Sequence, residues 1–202
     1  MLLAVDGSGA TGVAVVDPDG TVLAERTSDD PRAHAEAVGP LLAAALRDAG
    51  VAPADLVAVA VGTGPGPFTG LRVGIAAARA VAQALGVPAL PVLSHDAAAL
   101  AHLESGGEPG FLVVTDAKRR EVYATRYAGL DANGLPVRVA APTVGPEADL
   151  PALPRAVHPV TAGALGRVAA LRRRAGVTAD DAAAVYLRSP DVTPSAGKRV
   201  SV

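Results

Sequence analysis

Leu2-Leu3-Ala4-Val5-Asp6, Gly7-Ser8-Gly9-Ala10-Thr11 and Gly12-Val13-Ala14-Val15-Val16 read in turn as an apolar strand ending in a carboxylate, a glycine-rich loop and a second strand. Asp17-Pro18-Asp19-Gly20 is a turn, because proline presets one φ and glycine accepts a positive one. Residues 21–25 return as a third strand. The plan recurs in the second half. Phe111-Leu112-Val113-Val114-Thr115-Asp116 is again apolar and again ends in Asp, residues 122–127 form the second strand, Asn133-Gly134 the turn and residues 136–140 the third strand. Two copies of one hairpin unit within a single chain point to an internal duplication.

Helical periodicity covers residues 34–49, 71–85 and 95–103, with Pro40 as a kink and Ser94 as the cap of the third helix. Residues 56–61 and 89–92 read as strands. The second half is poorer: residues 141–159 contain Pro142, Pro146, Pro151, Pro154 and Pro159, and residues 164–174 form its one convincing helix. The expectation is an α/β protein of two similar lobes, residues 1–104 complete and residues 105–202 reduced, with a flexible tail after about residue 191.

Composition removes several function classes. There is no cysteine, so disulfides, thiolate catalysis and Cys-ligated metals are excluded. Half the residues are hydrophobic but only two are Phe and three Tyr, so Val, Leu and Ala must fill the core. The first residues enter a strand directly, without the basic start of a signal peptide, and no apolar run approaches the roughly 20 residues of a membrane span; the expected compartment is the cytoplasm, with no membrane contact. A net charge of −2 is unlike a protein that grips nucleic acid alone. Lys118-Arg119-Arg120 and Arg172-Arg173-Arg174 read as solvated turns or helix ends.

Gly62-Thr63-Gly64-Pro65-Gly66-Pro67-Phe68-Thr69-Gly70 joins a buried strand to a helix, a position that invites phosphate binding. No Lys-Ser/Thr pair follows at P-loop spacing, no frame supplies the dinucleotide glycines, and two prolines delete N–H donors. The segment reads instead as a rigid turn. In the helix after it, Arg72, Arg79 and Gln83 share a stripe about 40° wide at 100° per residue. The remaining circumference is almost wholly Ala, Val, Leu, Ile and Gly, and residues 37–46 of the earlier helix are equally apolar. Gly70, Gly74 and Ala78 recur every fourth residue as a shallow groove for a second helix. Such polarity predicts an intermolecular helix–helix interface.

Catalytic groups are scarce. His34, His95, His102 and His158 form no His-x-x-x-His pair, and neither Ser8 nor Ser94 lies in a nucleophile elbow. Asp6 and Asp116, at matching strand ends, are the best acid pair. They leave open the alternative of a small ATPase or phosphotransferase holding Mg-nucleotide, against the simpler reading that each caps a tight turn. No catalytic, metal or cofactor residue is assigned.

Gly64-Pro65-Gly66-Pro67-Phe68-Thr69-Gly70-Leu71-Arg72-Val73-Gly74 closely resembles the GPGSFTGLRIG signature of the bacterial TsaB family, also called YeaZ. Asp116-Ala117-Lys118-Arg119-Arg120-Glu121-Val122-Tyr123 is similar to its DARRGEVY, Tyr186-Leu187-Arg188-Ser189-Pro190-Asp191 to its C-terminal motif, and His34-Ala35-Glu36 stands at its HSE. Pro67 replaces the usual Ser, and Asp6-Gly7-Ser8 stands where Asp-Thr-Ser is common. The resemblance implies an actin-like (ASKHA) two-lobed fold. It also implies a noncatalytic scaffold role beside a TsaD-like paralogue, in a complex that makes N6-threonylcarbamoyladenosine in tRNAs reading codons that begin with A. The resemblance further implies that a TsaE-like ATPase joins that complex, that pairing with a second copy of the chain as a homodimer is open to it when alone, and that tRNA is met only through the complex. By the same resemblance the partner interface comprises His34, Val38, Leu41, Leu42 and Ala45 of the first helix, with Phe68, Thr69, Gly70, Leu71, Arg72, Gly74, Ala78 and Val81 of the second.

Overall fold

In the computed structural model, described over residues 1–30, 32–177 and 183–188, the first three strands form a meander. β1 (Leu2–Asp6) pairs antiparallel with β2 (Thr11–Val16), and β2 with β3 (Val22–Ser28). The chain then runs through α1 (His34–Ala49) into β4 (Ala58–Gly62), which lies parallel to β1, and through α2 (Phe68–Leu85) into β5 (Ala89–Val92), parallel to β4. The sheet order is β3-β2-β1-β4-β5.

Period-2 alternation sorts the two faces of this sheet. Leu3, Val5, Val13, Val15, Val59 and Val61 point to one side and meet α1 and α2. Leu2, Ala4, Ala14, Val16, Ala58 and Ala60 point to the other and meet α4 (Ala162–Ala175). The second face is the smaller-bodied one, and α4 matches it with small residues. A Cβ on Gly166 would stand 2.5 Å from Val16 Cγ2 and 3.2 Å from Ala4 Cβ. Small against small lets α4 settle close to the sheet, which dense packing rewards. This corrects the sequence-based assignment of that helix to the second half: chain order and layering part company, and α4 lies across the first sheet.

The second sheet is built from β6 (Phe111–Asp116), β7 (Glu121–Leu130), β8 (Pro136–Arg138) and β9 (Thr143–Pro146). β6 runs antiparallel along one edge of β7, while β8 and β9 share its other edge end to end. The proline-rich stretch after β8 supplies β9 and a short 3-10 turn, Glu147–Asp149, where the first half has a long helix. Among the described residues, no helix comparable to α1 directly follows the third strand of this half. Both hairpins begin with one device: Asp6 Oδ1 accepts the Ser8 N–H at 2.8 Å and Asp116 Oδ1 accepts the Lys118 N–H at 2.7 Å.

α3 (Ser94–Glu104) joins the two sheets and is buried from Ser94 to Leu100. Ala98 and Ala99 pack on Phe111, Val113 and Tyr127 of the second sheet. Ser94 is not the helix cap expected of it. It lies inside the helix, and its hydroxyl donates to Asp6 Oδ2 at 2.6 Å.

His95, fully buried beside it, has Nδ1 2.8 Å from Thr125 Oγ1 and Nε2 2.9 Å from Thr115 Oγ1. Burial in this dry position holds its pKa at about 3, against 6.5 for a free imidazole. The unfolded chain thus takes up a proton below 6.5 that the folded chain refuses, so stability falls as pH drops from 6.5 toward 3. The expected slope approaches about 1.4 kcal/mol per pH unit. Urea midpoints between pH 7 and pH 4 measure it, and His95→Gln flattens the curve.

Candidate partner-binding face

The segment before α2 is closed on its own chain. Thr63 N–H donates to Val92 O at 2.9 Å, Gly64 N–H to Ser94 Oγ at 3.0 Å, and Thr63 O accepts the Val185 N–H at 2.8 Å. A Cβ on Gly66 would lie 2.4 Å from Ser8 O. The Thr63 and Gly64 donors are thus taken up within the chain, and Gly66 is pressed against the β1–β2 loop, in line with the rigid-turn reading. Pro67 presets the first turn, and α2 starts at Phe68, before the first residue that periodicity alone marks.

Asp6 sits beneath this loop, 3% exposed. Its Oδ1 accepts from Ser8 N and from Ser8 Oγ at 2.6 Å, and its Oδ2 from Ser94. Burial pushes its pKa above 3.8, against the lowering effect of the Ser8 and Ser94 hydrogen bonds. Its pH linkage is opposite to that of His95: the contribution is fullest below 3.8 and is lost as pH rises through the elevated value. Asp116 is exposed on the other sheet, and Lys118, by side-chain and backbone hydrogen bonds, holds its pKa below 3.8. One carboxyl is buried under two serines and the other is tied to its own hairpin. The turn-capping reading accounts for both, and the metal-nucleotide pair finds no support in this geometry.

The histidines are dispersed. His34 Nδ1 is 2.6 Å from Thr11 Oγ1, the His102 ring lies 4.2 Å from that of Phe111, and His158 Nε2 is 2.9 Å from Ser105 Oγ. Among the described residues no three His, Asp or Glu gather as metal ligands. No helix among them is long and apolar enough to cross a membrane.

α1 and α2 lie side by side on the larger-bodied face of the first sheet. Of the interface residues expected from the sequence, His34, Val38, Ala45, Gly70, Leu71, Gly74 and Ala78 are buried within the chain itself. The Gly70/Gly74 groove is already filled. Its occupant is the β1–β2 loop: a Cβ on Gly74 would meet Gly7 N at 3.0 Å, and one on Gly70 would meet Gly7 O at 2.6 Å and His34 Nε2 at 2.7 Å. Leu41, Leu42, Phe68 and Val81 are half-buried, and Thr69 and Arg72 are exposed.

The surface that does face outward is different. On α2 it comprises Thr69, Arg72, Ala76, Arg79, Ala80, Gln83 and Ala84, and on α1 Ala35, Glu36, Gly39, Pro40, Ala43, Arg47 and Asp48. A signal for this was present in the sequence, since the Arg72-Arg79-Gln83 stripe marks the solvent side and Ala76 and Ala80 lie within about 80° of Arg72. α2 is therefore covered over roughly half its circumference by its own chain and presents an alanine-rich arc over the rest.

Residues 183–188 run along the edge of this face. The Tyr186 ring lies 5.1 Å from that of Phe68, and Arg72 places its guanidinium carbon 3.7 Å over Phe68 while its Nε donates to Tyr186 Oη at 3.2 Å. A groove of about 420 Å³ lies between α2 and this segment, with Arg72, Ala76, Arg79 and Tyr186 on its walls. Arg188 then reaches the second sheet, donating from Nη1 to Ala117 O at 2.8 Å and pairing with Glu121. This bridge depends on contacts more than 60 residues apart, which no local pattern announces. The tail beyond residue 191 lies outside the described residues.

The family model described as TsaD, tRNA N6-adenosine threonylcarbamoyltransferase, matches residues 21–143. An uncharacterized protein of Mycobacterium tuberculosis is 45% identical over 194 residues, covering 88% of this chain and 86% of that protein. The tRNA threonylcarbamoyladenosine biosynthesis protein TsaB of Bacillus subtilis is 34% identical, covering 62% of this chain and 54% of its own length. The solved structure of YeaZ from Pseudomonas aeruginosa superposes with a TM-score of 0.77 at 27% identity, over 92% of this chain and 99% of that one. The two-sheet architecture is the actin-like α/β fold. With its sequence relatives and its fold in agreement, the chain belongs to the TsaB/YeaZ family.

Proposed function

We propose that the chain is a noncatalytic scaffold subunit in the formation of N6-threonylcarbamoyladenosine in tRNA. In this reading it holds a TsaD-like threonylcarbamoyltransferase against the outward arcs of α1 and α2, and the tRNAs served are those reading codons that begin with A. The observation that carries the proposal is the composition of the α2 arc, where Ala76, Ala80 and Ala84 leave a smooth, close-approach surface beside Arg72, Arg79 and Gln83. Helices pack closely where side chains are small, and a polar rim around an apolar centre is the usual anatomy of an interface. The named relatives supply the reaction. A TsaE-like ATPase joins the same complex, the free chain pairs with a second copy through the same two helices, and the work is done in the cytoplasm.

Ala80→Arg is the direct test, because residue 80 is exposed and a surface change of this kind alters stability by about 0.5 kcal/mol or less. The variant is expected to fold with an unchanged thermal midpoint and to lose co-elution with the TsaD-like partner on size exclusion. Retained co-elution would remove α2 from the interface.

A further inference from the structure

The tip of the β6–β7 hairpin belongs to the second sheet, outside the outward arcs of α1 and α2. Lys118, Arg119 and Arg120 have φ of 62°, 55° and 62°, three successive residues in the left-handed region, and all three are exposed. An L side chain enters that region against steric resistance that glycine escapes. The turns at Gly20 and Gly134 use glycine for positive φ, whereas this tip places three long cations there. Its base is firmly held: Asp116 takes both the Lys118 N–H and its Nζ, at 2.7 and 2.8 Å, and Arg188 grips Ala117 O and Glu121. Four cations surround two carboxylates, a local positive excess on a chain of net charge −2.

Strained backbone that preserves particular side chains points from geometry to use, and a convex cationic tip suits a phosphate backbone better than a protein groove. We propose that this tip is a sequence-independent contact for tRNA phosphates, one that orients the tRNA on the assembled complex. The inference rests on the tRNA reading given above. Contacts of this type position the nucleic acid without reading its bases, and they register in the salt dependence of binding.

The test titrates a labelled, unmodified tRNA transcript with the chain bound to its TsaD-like partner, followed by fluorescence anisotropy between 50 and 200 mM salt. The Arg119→Gly, Arg120→Gly double variant removes both charges and also relieves the left-handed backbone, so its thermal midpoint is expected at or above that of the parent. Binding is expected to weaken about tenfold, and the slope of log K against log salt to become shallower by about 1.8, two phosphates at about 0.9 each. Co-elution with the partner is expected to persist. Unchanged affinity and slope would overturn the tRNA contact and leave the scaffold reading standing. Lost co-elution with unchanged tRNA affinity would overturn it in favour of a protein contact. If the parent chain itself fails to co-elute, the scaffold reading falls, and the same titration on the chain alone decides the role of the tip.

Discussion

Asp96→Ala is expected to lower the unfolding free energy by about 3–5 kcal/mol, the range for removing one partner of a buried ion pair. Asp96 is fully buried on α3, accepts from Tyr127 Oη of β7 at 2.7 Å and from Arg172 Nη2 of α4 at 2.8 Å, and has Arg138 Nε of β8 at 3.5 Å. One carboxylate therefore ties four elements together, across the junction of the two sheets. The Arg172 side chain is only 11% exposed. Without Asp96 its charge faces the apolar surround of α4 and β5 with its carboxylate partner gone, and the Tyr127 hydroxyl loses its acceptor. Asp96→Asn keeps the volume and one acceptor and should lose less, about 1–3 kcal/mol. Urea unfolding measures both, and a loss below about 1 kcal/mol for the alanine variant would contradict the ranking of this network among the chain's strongest ties.

Gly74→Arg is expected to prevent folding. On sequence alone Gly74 is part of an open groove, and arginine there would be a clean way to block a partner helix. In the structure its Cβ direction points at Gly7 N, 3.0 Å away, with Gly7 Cα at 3.3 Å and Asp6 C at 3.5 Å, all of it backbone. Overpacking a filled site costs about 1–3 kcal/mol. A guanidinium forced into the same site without a partner adds several more, and together these approach the whole stability of a small domain. Soluble yield and far-ultraviolet circular dichroism report the outcome. A well-folded Gly74→Arg chain would mean that the β1–β2 loop yields easily and that the groove is open to a partner after all. The pairing with Ala80→Arg is informative, since both place the same charge on one helix and only the direction differs.

Much of the fold was legible because it depends on local patterns. α1 and β5 fall on the residues that periodicity and turn chemistry mark, and the Asp17 and Asn133 turns carry their glycines at positive φ, Gly20 and Gly134. The doubled hairpin was legible through the repeated strand–Asp plan. The solvent side of α2 was legible in its Arg72-Arg79-Gln83 stripe, but the burial of Gly70, Gly74 and Ala78 by the chain itself was not. Gly70, Gly74 and Ala78 have the right spacing and size for a partner helix, but those properties serve equally well for a close approach by the chain's own loop. Ser94 shows the same ambiguity. Its position at the start of α3 suits a cap, yet a buried carboxyl nearby in space is the stronger partner for its hydroxyl.

The amino-acid order was enough to set most strands, helices and turns, though not β9, along with the lack of any cysteine chemistry and the excess of apolar residues on α1 and α2. These follow from covalent geometry and from periodicities of 2 and 3.6 residues. Only tertiary packing set that α4 covers the first sheet, that Asp6 is locked under Ser8 and Ser94, that Arg188 bridges to the second sheet, and how much of α2 the chain covers for itself. Small residues are the physical reason. Alanine and glycine permit close approach without specifying what approaches, so only the long-range pairing of strands and loops determines which of their faces the chain covers for itself.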